Sequence, residues 1–225
     1  SCSLVGSEMC IRDSVDTFAA FESTYEPLQS EKILFINGNI LDGEGNELLD
    51  TDLLIADGKI IAIGKGISVD DKDVKIIDAK NKWITPGIID IHSHMGVYPA
   101  PSVRTSSDGN EATSPVTAEV WAEHSMWVQD PQYALALKGG ITTFHVLPGS
   151  ANLIGGRGVT VKNLQRNTIQ SMKYPDAKHS LKMACGENPK RVYGNRGQAP
   201  STRMGNFAGY SCLLYTSPSP RDCKT

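Results

Sequence analysis

Residues 89–94, Ile-Asp-Ile-His-Ser-His, constrain this chain more than any other stretch. Strand side chains alternate faces, so Asp90, His92 and His94 share one face while Ile89 and Ile91 take the other. The run Trp-Ile-Thr-Pro-Gly at 83–87 turns the chain just before this apolar strand. The histidines therefore fall at the strand's C-terminal end, where barrel enzymes place their chemistry. Two neutral imidazoles on one face can converge on a single divalent ion, the nitrogen ligation that Zn²⁺ favours. A bare His-x-His is more often incidental than a ligand pair; the turn and the strand end make this one half of a metal site.

Upstream, residues 32–85 break into short β-rich runs at 33–41, 52–56, 59–64, 75–78 and 82–84. Asp57-Gly58 between two apolar runs is a two-residue hairpin signal, because a type I′ turn needs positive φ at both central positions. Asn37-Gly38 and Asp42-Gly43 are further turn candidates. Together these runs describe a small antiparallel module. Residues 15–31 have weak periodicity and read as a linker.

After Pro86 strands and helices alternate. Residues 116–128 place Val116, Val120, Trp121 and Trp127 against acidic Glu119 and Glu123, an amphipathic helix by pattern. Residues 132–138 form a second helix, ended by Gly139-Gly140. A β-branched strand follows at 141–147, then a glycine-rich loop at 149–158, then shorter strands at 159–164 and 181–185. Such alternation argues for parallel βα units and an α/β fold.

The chain has 225 residues, is 40% hydrophobic and carries a net charge of -3, the composition of a soluble globular protein of one or two domains. Neither a polybasic patch nor an acidic tail is present, which removes support for nucleic-acid or membrane-surface partners. No apolar run is long enough to span a bilayer. A small-molecule substrate is the expected partner.

The two ends read as one DNA sequence translated from both strands. Codons for Met9-Cys10-Ile11-Arg12-Asp13-Ser14 have a frame-shifted complement that encodes Cys212-Leu213-Leu214-Tyr215-Thr216, and Leu4 to Glu8 relate to Pro218 to Asp222 in the same way. They resemble a translated transposase adapter from a sequencing library, so residues 1–14 and 211–225 are expected to be artefacts. Four of the five cysteines lie there. Cys185 is left in an apolar run, where a small core residue is expected rather than a nucleophile. With the natural start expected to be missing, compartment is left open, cytoplasm and periplasm alike.

The motifs resemble those of the amidohydrolase superfamily: Thr85-Pro86-Gly87 leading into Asp90-x-His92-x-His94, then Trp121-Ala122-Glu123-His124, Gly140-Ile141-Thr142-Thr143, residues 147–152 (Leu-Pro-Gly-Ser-Ala-Asn) and 186–191 (Gly-Glu-Asn-Pro-Lys-Arg). They are similar to the imidazolonepropionase-related branch of its metal-dependent hydrolases, over about residues 32–208. The resemblance implies a small β-sandwich module at 32–85 (a composite domain), then the first half of a TIM-like (β/α)8 barrel at 86–210. It implies one or two divalent ions, Zn²⁺ foremost, held by His92 and His94 with later strand-end histidines and a last-strand aspartate. A full barrel of this kind takes about 250 residues. The remaining ligands and the catalytic aspartate are therefore expected outside this chain, no catalytic residue is assigned within it, and the chain alone is expected to be inactive.

The implied reaction is hydrolysis of a cyclic or other non-backbone carbon–nitrogen bond, such as a cyclic amide, an imidazolone or a dipeptide-like amide, by a metal-activated water. The competing reading is a non-catalytic scaffold of the same fold used for binding or assembly; a homo-oligomer fits either. Among further candidates, Glu187 sits where a strand-end ligand could sit, or else caps a helix starting near Pro189. Lys182 is a candidate carbamate-bearing bridge between metals, set against a lysine at a strand edge with its amine in water. Lys162 is a weaker version of the same idea. His145 near a strand end could face the site mouth, and Arg157 could pair with a substrate carboxylate, each weighed against an ordinary structural or surface role. His124 and His179 read as structural or solvated. The glycine-rich loop lacks the spacing of a nucleotide-binding P-loop.

Overall fold

The computed structural model describes residues 20–216, with side chains to 213. The end segment 1–14 and residues 217–225 of the other lie outside the described residues; 211–216 continue a helix. The chain divides into two compact units, residues 26–88 and residues 20–25 together with 89–216.

The smaller unit is one five-stranded sheet. Its strands are β1 (Ile33–Leu41), β2 (Glu47–Ala56), β3 (Lys59–Gly64), β4 (Lys75–Asp78) and β5 (Trp83–Ile84). The order is β3-β2-β1-β4, with β5 also on β1. Pairings among β1, β2 and β3 are antiparallel, whereas β4 and β5 run parallel to β1, so the antiparallel expectation holds for the hairpins alone. Asp57 and Gly58 have φ of 51° and 68°, the backbone a type I′ hairpin turn requires. Asn37-Gly38 is not a turn. It is a bulge inside β1, with Asn37 at φ 59° and the β1–β2 register slipping between Phe35 and Gly38. Buried Asp52 stabilises it by accepting the Asn37 N–H at 3.0 Å. Leu34, Ile40, Leu53, Leu54 and Ala79 form this unit's interior.

The larger unit carries a mixed α/β arrangement curled into a half-barrel. Strands β6 (Ile88–Ser93), β7 (Ile141–Val146), β8 (Ile154–Lys162) and β9 (Ser180–Met183) stand in that order in one sheet. Helix α1 (Gln132–Lys138) lies between β6 and β7, while α2 (Glu187–Gly194) and α3 (Arg203–Thr216) follow β9. Three expectations fail here. Residues 116–128 are not a helix beyond one 3-10 turn at Ala122–His124. Their backbone is drawn alongside β8 instead, through bridges Val116–Ile154 and Trp121–Arg157, and Gly156 at φ 106° lets Val120 pack where a Cβ would lie 2.5 Å from its methyl group. Strand β8 also begins five residues before the expected 159 and runs antiparallel to both β7 and β9. The strictly parallel βα pattern is therefore broken at β8, and the second half of the glycine-rich stretch is strand, not loop.

Alternation sorts the two faces of this sheet. Phe144, Val146, Val159 and Val161 point to one side, where they are buried with Val97, Tyr133, Ile169 and Met172. His145 and Thr160, paired across β7 and β8, point to the other. Ile91 on β6 is 76% exposed and Ile89 is also exposed. Residues 20–25 are docked on the core side. Phe21 N–H donates to Glu123 Oε1 at 2.8 Å, its carbonyl accepts from Lys173 Nζ, and Thr24 N–H donates to the Gln170 carbonyl at 3.0 Å.

Candidate functional site

His92 lies near the end of β6 and His94 one residue beyond it, their rings edge to face with centroids 5.4 Å apart. His94 Nδ1 is 2.8 Å from the Leu147 carbonyl. A carbonyl only accepts, so Nδ1 carries the proton and Nε2 keeps its lone pair, the arrangement usual for a metal-ligating histidine. Leu147 N–H returns a bond to the Ser93 carbonyl at 2.9 Å, which ties the loop after β7 to the end of β6.

The loop after His94 is held by Asp130, a buried carboxylate the sequence did not single out. It accepts from the N–H of Gly96 at 3.1 Å, of Ala100 at 3.3 Å and of Gln132 at 3.0 Å. Asn152 fixes the next loop in a similar way, donating to the carbonyls of Glu111 and Ser114 at 2.6 and 2.8 Å. An Asp before a predicted helix and an Asn after a strand were the available signals.

Lys182 on β9 is 7% exposed, and its Nζ lies 3.0 Å from His92 Nε2. Three strand spacings of about 4.8 Å separate β6 from β9 in a flat sheet, so this contact requires the sheet to curl towards its inner face. Burial pushes the Lys182 amine below the ordinary lysine range. The Lys182 charge, followed by burial, holds His92 below its ordinary value, so the imidazole is neutral near pH 7.

His145 shares this inner face. Its Nδ1 lies 2.9 Å from Thr160 Oγ1 and its Nε2 2.6 Å from Ser180 Oγ, and burial, with His179 and His92 behind it, lowers its pKa. Gly158 makes room for this, since a Cβ there would sit 2.7 Å from Ser180 Oγ. The remaining candidates lie elsewhere. Arg157 places its guanidinium 4.7 Å over the Trp121 ring. Glu187 is exposed in the first turn of α2, with Gly186 as N-cap, so the helix starts earlier than expected and the carboxylate faces its own N-terminal dipole. Lys162 stands over the rings of Tyr25 and Tyr174 at 5.0 and 4.6 Å. His124 is exposed beside Phe21, and His179 bonds the Gly158 carbonyl at 2.7 Å. Cys185 is exposed, not a core residue, because β9 ends at Met183 and the chain leaves the sheet before it.

A cleft of about 340 Å³ opens beside His94, lined by Tyr98, Asn110, Ser150, Asn188 and Arg191 among others. A larger cavity of about 440 Å³ lies by Asp108, Glu119, Trp121 and His124 and includes neither histidine of the pair. Among the described residues no group of three or more His, Cys, Asp or Glu side chains converges as a metal site. The donor set fits a metal ion in part, with a His94 imidazole of suitable tautomer, a second imidazole in His92 and a buried lysine amine.

No protein-family model matches the chain. The amidohydrolase of Thermotoga maritima superposes with a TM-score of 0.72 at 39% identity, over 82% of this chain and 47% of that one. The chain belongs to the amidohydrolase superfamily. Among its relatives, Amidohydrolase tasK of Hapsidospora irregularis is 36% identical over 165 residues, 68% of this chain and 17% of that protein. A dihydroorotase of Bacillus cytotoxicus is 34% identical over 117 residues, 52% of this chain and 21% of that protein. The chain thus spans about a fifth of the length of the curated superfamily members it matches and about half of the Thermotoga structure.

Proposed function

We propose that the protein is a metal-dependent hydrolase of a carbon–nitrogen bond, built as a small β-sandwich followed by part of a TIM-like barrel. The observation that carries this reading is the convergence of the His92–His94 pair with the buried amine of Lys182. The relatives named as amidohydrolase and dihydroorotase support the same class of bond. His92 and His94 would hold a divalent ion, Zn²⁺ by the softness of two imidazoles. Such an ion supplies a water of lowered pKa and polarises the scissile carbonyl.

The chain's own residues prepare that role. Leu147 fixes the His94 tautomer, and the depressed basicity of His92 keeps its ring neutral. An ammonium on Lys182 competes with a metal ion for His92 Nε2. A neutral Lys182 amine can instead attack carbon dioxide: the N–C bond forms, an electron pair moves onto oxygen, and nitrogen releases a proton. The product carbamate replaces a positive charge beside His92 with an anionic oxygen donor. Labelled bicarbonate tests this in the protein expressed from its complete gene. A carbamate carbonyl resonance that disappears in Lys182→Met, together with lost metal uptake, is expected; unchanged metal uptake in Lys182→Met refutes the assignment.

A further inference from the structure

The cleft beside His94 has one permanently charged lining side chain, Arg191, on the second turn of α2. Among the described residues its guanidinium makes one polar contact, from Nη2 to Asn188 Oδ1 at 3.3 Å, and that acceptor is neutral. Glu187 lies one helical turn earlier, the spacing at which a Glu–Arg pair usually forms, yet no ion pair joins them. The guanidinium is thus exposed to the cleft with its charge uncompensated, and Asn188 restrains it. The same cleft is lined by the neutral side chains of Ser150 and Asn110, the latter engaged with the Tyr98 hydroxyl and the Ala151 N–H, and by the Tyr98 ring, packed edge to face against His94 at 5.7 Å.

We infer that this cleft selects substrates bearing a carboxylate next to the scissile amide, as in an N-acyl amino acid or a C-terminal dipeptide unit, with Arg191 docking the carboxylate. The inference rests on the proposed hydrolase reading for the orientation of the substrate, since His94 lines the cleft and marks where the scissile carbonyl goes. A planar guanidinium matches a carboxylate through two parallel N–H bonds, which fixes orientation as well as charge. Arg157, the arginine the sequence suggested for this task, is committed to the face of Trp121 and is not among the residues lining the cleft. Arg191 is a specificity residue, acting on substrate binding and not on bond cleavage.

The test compares N-acetylated amino acids with their C-terminal carboxamides, which have the same shape without the charge, in the protein expressed from its complete gene. Binding is measured by calorimetry and turnover by amine release. Wild type is expected to favour the carboxylates, and Arg191→Gln to lose on the order of 10- to 100-fold in binding and kcat/KM for them, the worth of a charge-assisted contact. The carboxamides should be unaffected, and Arg191→Lys should retain part of the preference. Arg191 is exposed, so these variants fold, and metal uptake through His92 and His94 should not change. No wild-type preference, or an equal loss on both substrate sets, overturns the inference. Arg191-dependent binding of carboxylates without hydrolysis of either set upholds it and rejects the hydrolase reading instead.

Discussion

Lys173→Met should be among the most damaging single changes outside the candidate site. Glu123 and Lys173 form an ion pair at 2.6 Å, with side chains 0% and 7% exposed. Glu123 Oε2 has no well-directed hydrogen bond, so its compensation there is ionic. Removing the lysine strands a buried carboxylate, a change that costs about 3–5 kcal/mol. It also orphans the Phe21 carbonyl, adding about 1 kcal/mol. Against a typical domain stability of about 5–15 kcal/mol this leaves little margin. The double variant Glu123→Leu with Lys173→Met removes both charges and should lose less than Lys173→Met alone, because no unpaired charge remains. Urea unfolding followed by tryptophan fluorescence reads this out, with Trp121 two residues from Glu123. A loss below about 1 kcal/mol in Lys173→Met, or a double variant as unstable as the sum of the singles, refutes the reasoning.

Gly156→Ala forces a Cβ to 2.5 Å from Val120 Cγ2 at φ 106°, and a loss of about 2–4 kcal/mol from combined strain and overpacking should appear in the same unfolding assay. Gly58→Ala meets nothing within 4 Å and should lose only about 1 kcal/mol of left-handed backbone strain, a contrast that an equal loss in both variants would contradict. His145 is held below its usual 6.5, so at mildly acid pH the unfolded chain binds a proton that the folded one resists. Stability is complete above the unfolded value and falls as pH drops through that value towards the folded one. Melting temperatures of His145→Gln should depend less on pH over that window than those of wild type.

Local chemistry made much of the smaller unit legible. Asp57-Gly58 determines its own turn, β1, β3 and β4 follow from runs of β-branched and apolar residues, and α1 ends at its glycine pair. Periodicity and residue chemistry made the position of His92 and His94 around the end of β6 readable, whereas that of Lys182 was not: its amine is buried against His92 and not in water, because the sheet curls. What was not readable is decided by distant partners. Residues 116–128 carry a helical pattern, but the Thr117 N–H donates to the Ile154 carbonyl and the Val120 carbonyl accepts from the Arg157 N–H, both on β8. Gly156 and Gly158 look like loop residues, yet they are strand positions whose missing side chains make room for Val120 and Ser180. The segment at 20–25 has no periodicity because its order comes from the Glu123–Lys173 pair. Arg191 was hidden in a motif of the resemblance, with nothing local to say that α2 turns it into the cleft beside His94.

Metal analysis of the protein expressed from its complete gene, compared with the His92→Ala, His94→Ala double variant, tests the central claim most directly. The account predicts stoichiometric divalent metal in the wild type and its loss in the folded double variant, with hydrolysis of the amide substrate lost in parallel. Full metal occupancy in the double variant would contradict it.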